Sequence, residues 1–175
     1  MTTVGSIRRP QDREAAIRRL LTAADEAFVP PLSAAARSEV SRYDGGDGLT
    51  SIDAYVEACL DRPLLAAVDD GQLVGFASLD AVTESEPLAD YTPTTHVTVL
   101  VVDEAYRGRG IATRLYEHLL DSPPAGLPGS AVSTKTWHTN RAHISILDSL
   151  GFACVERVPD DRKPGVDTVY YAREI

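Results

Sequence analysis

No apolar run in this chain approaches the ~18 residues of a membrane-spanning helix, so no membrane partner is expected. The opening stretch, MTTVGSIRRPQDRE, lacks the apolar core of a secretory signal, which makes the cytoplasm the expected compartment. Cysteine is scarce: Cys59 and Cys154 are the only two, without C-x-x-C spacing. Two buried thiols are the expectation, with neither a disulfide framework nor a metal site. Lysine is scarce as well. Lys135 and Lys163 stand against fifteen arginines and sixteen aspartates, and the net charge is −9. So acidic a chain lacks the basic footprint of a nucleic-acid binder, and no nucleic-acid partner is expected. The same charge is compatible with a cationic ligand such as an amine. Internal repeats and low-complexity tracts are absent too. The 175 residues suffice for one domain with a sizeable core, expected over 1–175.

What is present is concentrated between His96 and Leu120. His96 to Val102 is a β-branched run of strand composition and length. A short turn follows in which Gly108 and Gly110 interleave with Arg107 and Arg109. Ile111, Leu115, Leu119 and Leu120 then recur at helical spacing. Strand, Gly/Arg turn and helix together suit a phosphate. Glycines let backbone amides come close to an anion, and the first helical turn aims free N–H groups at it. The arginines add charge. Neither G-x-x-x-x-G-K-[ST] nor G-x-G-x-x-G occurs here.

Elsewhere the chain alternates helical and strand signals. Val4 to Arg9 is expected as a first strand. Pro10 opens a helix whose face is Ala15, Ile17, Leu20, Leu21, Ala24 and Phe28, stopped by Pro30-Pro31. Leu32 to Val40 is expected as a short helix and Tyr43 to Thr50 as loop. Ser51 caps a helix over Ile52 to Leu60. Leu64 to Val68 and Leu73 to Leu79 form a hairpin around Asp69-Asp70-Gly71-Gln72. Asp80 to Thr95 is expected as loop, Ala131 to Thr136 as strand, and Asn140 to Leu150 as a helix ended by Gly151. Phe152 to Val158 and Val166 to Ala172 are terminal strands around a Pro159 to Gly165 turn. Strands with helices between them give an α/β, or layered α+β, class.

Two segments carry a family resemblance. Arg107-x-x-Gly110-x-Ala112, placed after a strand ending Leu100-Val101-Val102, resembles the acyl-CoA pyrophosphate loop of the GNAT superfamily of N-acyltransferases. Asn140 to Phe152, NRAHISILDSLGF, resembles that family's later segment at Asn140, Gly151 and Phe152. The resemblance implies a mixed, mostly antiparallel sheet of about seven strands with helices on both faces, here with a helical insertion over about 30–62. It implies an enzyme that transfers an acetyl group from acetyl-CoA, without a metal, to an amine-bearing small molecule or peptide. It is compatible with a homodimer. The amides of Gly108, Arg109, Gly110, Ile111, Ala112 and Thr113, with Arg107, would then hold the pyrophosphate. Main-chain groups of Leu100, Val101 and Val102 would meet the pantetheine and thioester, like an added strand.

The catalytic residues are harder to place. The family's tyrosine, the acid for the departing thiolate, falls at Leu147, and leucine cannot donate a proton. The family's small residue falls at His143, one turn earlier on the same face, where a histidine replaces the acid or is simply a helix histidine. Tyr116 is another donor, on a different helix. Asn140 contacts the cofactor, caps its helix, or does both. His96 lies four residues before Leu100. Period-two alternation puts it on one face with Thr98, Leu100 and Val102, placed to accept an amine proton; the bland alternative is a hydrogen-bonded strand-end histidine. His138 stands between strand and helix and could face the cleft. A non-catalytic acyl-CoA-binding module on the same fold, favoured by Leu147, and an unrelated phosphate-binding domain are the rival functions.

Overall fold

The computed structural model describes residues 1–40 and 48–175. Residues 43–47 of the expected Tyr43 to Thr50 loop lie outside the described residues. The predicted hairpin is formed by β2 (Leu64–Asp69) and β3 (Gln72–Val82), with Asp69 facing Gln72 across a two-residue turn. β1 (Thr3–Ser6) adds to β2, and β4 (Thr94–Val102) adds to β3. β5 (Ala131–Trp137) runs parallel to β4, and β7 (Val166–Glu174) lies between β5 and β6 (Ala153–Lys163). Among the described residues these strands make one open sheet in the order β1-β2-β3-β4-β5-β7-β6. Every pairing except β4–β5 is antiparallel.

Helices cover both faces because successive strand residues point opposite ways. Leu64 and Ala66 of β2 pack with Ile17, Leu20 and Leu21 of α1 (Glu14–Ala24) and Val56 of α2 (Ile52–Asp61). Leu65 and Ala67 pack with Leu115 and Leu119 of α3 (Ile111–Asp121) and Leu147 of α4 (Arg141–Ser149). Each such leucine contributes roughly 1.5–3 kcal/mol by leaving water. Burial of that kind, more than helix propensity, holds four helices of only 9 to 11 residues. Ser51 caps α2 as expected, its Oγ accepting from the Ala54 N–H at 3.1 Å. Gly75 of β3 is needed for a different reason. A Cβ there would stand 3.1 Å from the Val101 carbonyl and 3.3 Å from Ile111, so its absence lets the start of α3 settle onto the sheet.

Several boundaries differ from expectation. β1 ends at Ser6 rather than Arg9. α1 stops at Ala24, and Phe28 lies beyond it in extended backbone. The Asp25 carboxylate accepts from the Ser33 N–H (2.8 Å) and Oγ (2.6 Å), tying the chain back before a helix could continue. The expected helix over Leu32 to Val40 is a short 3-10 turn, Ala35–Glu39. β3 and β4 extend into the expected Asp80 to Thr95 loop, leaving residues 83–93 between them. β6 runs through Pro159 to Lys163, so the turn shrinks to Pro164-Gly165. β6 is the outermost strand, and an edge strand tolerates a proline without a missing ladder bond. Cys59 is buried, but Cys154 is exposed on that same edge strand.

Candidate active site

β4 and β5 pair over three residues only, Thr95–Val97 against Val132–Thr134. Beyond Val97 the two strands have no further pairing, although β4 continues to Val102 and β5 to Trp137. A cavity of about 600 Å³ opens there, within the usual range for a small-molecule site. Its walls include β4 from Val97 to Val102, β5 from Thr134 to Trp137, the start of α3 and the first turns of α4. The edge of β4 facing β5 is therefore open where Leu100, Val101 and Val102 were expected to offer their main chain.

The Gly/Arg turn is held by its own residues. Asp103 caps the 3-10 turn after β4, its Oδ1 accepting from the Ala105 N–H at 3.0 Å. Its Oδ2 bonds Arg19 at 2.7 Å, and that bond, with the Ala105 amide, holds the carboxyl below the ordinary aspartate range. Arg107 donates to the Val102 carbonyl (3.3 Å). Arg109 donates to the Ala105 carbonyl (3.2 Å) with its guanidinium over the Tyr106 ring. Gly108 and Gly110 both take left-handed backbone, φ 73° and 72°, as only glycine does at low cost. Gly110 is the N-cap of α3 and supplies no side-chain cap. The first helical bond runs from the Arg114 N–H to the Gly110 carbonyl at 3.0 Å. The N–H groups of Ile111, Ala112 and Thr113 thus have no intrahelical acceptor and sit on the cavity wall, together with Arg107, Gly108 and Gly110. Arg109 is not on that wall.

β4 contains a bulge that its sequence conceals. Ser78 pairs with Val99 and Leu79 with Val97, leaving Thr98 as an extra residue. Val97, Leu100 and Val102 consequently pack toward α3 and α4, whereas Val99 and Val101 pack toward α1 and α2. Alternation breaks at Thr98, so His96 does not share a face with Leu100 and Val102 as expected. His96 is only 1 % exposed, does not line the cavity, and bonds the Ser133 Oγ through Nδ1 at 2.8 Å.

The start of α4 does reach the cavity, through Asn140, Ala142, His143 and Ile146. Asn140 Oδ1 accepts weakly from the His143 N–H (3.5 Å), and its Nδ2 donates to the Thr136 Oγ1 (3.0 Å). It both caps the helix and lines the wall. Burial lowers the His143 pKa to about 4 and raises that of Tyr116, so at neutral pH both are uncharged. Tyr116 Oη lies 2.8 Å from His143 Nε2 and hydrogen-bonds Thr134. Thr134 gives its own proton to the Val97 carbonyl at 3.0 Å. A Tyr116 hydroxyl that donates to Thr134 would accept from His143 Nε2–H and leave the lone pair of Nδ1 for a ligand. Leu147, fully buried, fills the core beside Tyr116. His138 stays off the cavity wall and accepts the Asp167 N–H at Nδ1, 2.9 Å.

The other end of the cavity contains residues that no motif announces: Phe28, Arg37, Lys135, Trp137 and Arg162. They come from the α1–α2 connection, the end of β5 and the β6 edge strand. Phe28 was expected within a helical core face, and the others are isolated in sequence. Among the described residues, no group of three or more His, Cys, Asp or Glu side chains is placed to hold a metal, and no helix is long and apolar enough to cross a membrane.

The model of the acetyltransferase (GNAT) family matches residues 32–152. Among solved structures, the ribosomal-protein-S18-alanine N-acetyltransferase of Escherichia coli is similar at TM-score 0.68 and 18 % identity, covering 100 % of this chain and 94 % of that one. The yncA protein of Salmonella typhimurium, solved with its cofactor acetyl-CoA, is similar at TM-score 0.67 and 20 % identity, covering 99 % and 94 %. An N-acetyltransferase of Staphylococcus aureus Mu50 is similar at TM-score 0.67 and 18 % identity, covering 99 % and 98 %. No curated protein sequence matches the chain.

Proposed function

Since the chain belongs to the acetyltransferase (GNAT) family, we propose that it moves an acetyl group from acetyl-CoA to the primary amine of a small molecule or peptide. The observation that carries this reading is the parting of β4 from β5 beside the uncapped start of α3. Acetyl-CoA, when bound, supplies the acetyl group activated as a thioester. The amides of Gly108 to Thr113 and the Arg107 guanidinium would hold the pyrophosphate, using the helix N-terminus as an anion site. The open edge of β4, at Leu100, Val101 and Val102, would pair with the extended pantetheine arm and polarise the carbonyl oxygen through backbone N–H groups. Asn140 would touch the same arm from α4.

His143 would take a role other than the two readings its sequence left open, replacement acid or plain helix histidine. A neutral imidazole whose Nε2–H is committed to Tyr116 presents a lone pair, so Nδ1 would accept the proton of the attacking amine. Tyr116 and Thr134 fix that tautomer. His96, one strand pair away from Thr134, would act by holding Ser133 in β5. Positioning of the amine then provides much of the rate.

A non-catalytic acyl-CoA-binding module remains the second reading, favoured by leucine at position 147. The decisive experiment pairs calorimetry of acetyl-CoA binding with thiol release across an amine panel, products being identified by mass spectrometry. Binding with acetylated product supports the enzyme. Binding without product supports the second reading. No heat and no rise in melting temperature at millimolar acetyl-CoA overturns both.

A further inference from the structure

The end of the cavity away from α3 is lined by cationic side chains, although the chain as a whole is acidic. The chain carries −9 overall, yet Arg37, Lys135 and Arg162 line this end and no aspartate or glutamate lines the cavity among the described residues. Arg37 is held on two sides. Its guanidinium lies over the Phe28 ring at 5.4 Å and over the Tyr55 ring at 5.6 Å. Nε donates to the Tyr55 hydroxyl at 2.5 Å and Nη1 to the Pro30 carbonyl at 2.8 Å. Two nitrogens are thus held by neutral acceptors, and the planar fork is fixed before any ligand arrives. Arg162 is fixed similarly, by the Thr168 Oγ1 (2.8 Å) and the Val29 carbonyl (3.3 Å), with its guanidinium over Trp137. Phe28 and Trp137 meet at 5.7 Å between ring centroids, giving an apolar floor beside the cations.

Resting on the acetyl-transfer reading, we propose that the acceptor is an amine that also bears a carboxylate, which Arg37 binds while Phe28 and Trp137 hold the carbon skeleton. A part-buried cation held only by neutral groups gains most from an anion that the ligand brings. A purely cationic amine would instead approach the Arg37 charge with no anion to meet it. The phosphates of coenzyme A have their own donors at the start of α3, whose side chains pack on the opposite face of the sheet from α1 and α2.

Trp137 is the only tryptophan, so its fluorescence reports occupancy of this end without any turnover. The experiment titrates phenylalanine, leucine and methionine, and the amide of each, into the protein saturated with coenzyme A. The same compounds are tested as acceptors with acetyl-CoA. At least one free acid should bind roughly 10- to 100-fold more tightly than its amide, the range of one charge-assisted bond. Arg37→Gln should erase that preference and leave coenzyme A affinity within about twofold, with Arg37→Lys in between, as expected where a fork is replaced by a point charge. Amides binding as well as acids, no acid binding at tens of millimolar, or Arg37→Gln weakening coenzyme A instead would each overturn the inference. A fluorescence preference for acids without acetylation of any amine sustains the anion site and removes the catalytic reading. Acetylation of amines with no preference for acids does the reverse.

Discussion

The two ends of the cavity are built by different means. At the start of α3 the groups on offer are main-chain N–H groups left without a helical acceptor by an uncapped helix start, beside two left-handed glycines. At the Phe28 end they are side chains from three separate segments, with Arg37 and Arg162 bonded to hydroxyls and carbonyls. A main-chain site constrains residue types at consecutive positions and leaves a motif. A side-chain site constrains only the final three-dimensional arrangement and leaves none. The first end suits a ligand part shared across a family, the second a part peculiar to this chain.

The strongest way to break this contrast is Gly110→Asp. No atom lies within 4 Å of a Cβ built there, and aspartate tolerates left-handed backbone better than most residues. The folding cost should therefore be small, while the added charge faces an anion. Calorimetry should show coenzyme A affinity falling by roughly 100-fold or more, an electrostatic penalty of about 3 kcal/mol. Gly110→Asn, of the same shape without the charge, should lose under about tenfold. Equal losses in the two variants would mean that the turn is not a phosphate site.

Next in size is His143→Gln, expected to lower kcat/KM by roughly 100-fold, at the low end for one general base, with coenzyme A affinity nearly unchanged. Tyr116→Phe, which releases the tautomer, should lose less, roughly tenfold. Stability carries a second signature. The folded His143 pKa, about 4, lies below its ordinary 6.5. The unfolded chain therefore takes up a proton first, and stability present above pH 6.5 is lost as pH falls toward 4. In His143→Gln the melting temperature should fall less steeply across that window; an unchanged slope would place the imidazole in water.

Leu147→Tyr tests whether the family's tyrosine can simply be restored. Leu147 is fully buried in the core with Tyr116 and Phe152, so the larger ring should cost about 1–3 kcal/mol by overpacking, with no gain in rate. The smallest effect belongs to His96→Ala. Kinetics should show kcat/KM within about threefold of the parent, with a stability loss of about 1–2 kcal/mol from the broken bond to Ser133. A hundredfold loss with an altered pH–rate profile would restore His96 as the base.

The order of elements along the chain and the apolar face of α3 were legible because each rests on local regularity: short apolar runs in β2 and β3, 3.6-residue spacing in α3, and glycines at the left-handed positions 108 and 110. His96 was misplaced because alternation was carried through Thr98, and a bulge is a property of two paired strands, visible only in the register with β3. The Tyr116–His143 pair escaped for a similar reason. Each residue was singled out separately as a proton donor on its own helix, and only the packing of α3 beside α4 brings Oη to Nε2. Arg37 lies in a 3-10 turn and Arg162 in a stretch of β6 that was expected as a turn, so nothing local separated them from the chain's other arginines.

The three-residue seam between β4 and β5 also makes this sheet mechanically two plates, β1 to β4 and β5 to β6, stitched at one end. A ligand lying in the gap would act as a splint across both. Its stiffening should therefore reach residues it never touches: amide exchange should slow along β7 and β6 as well as along β4 when coenzyme A is added.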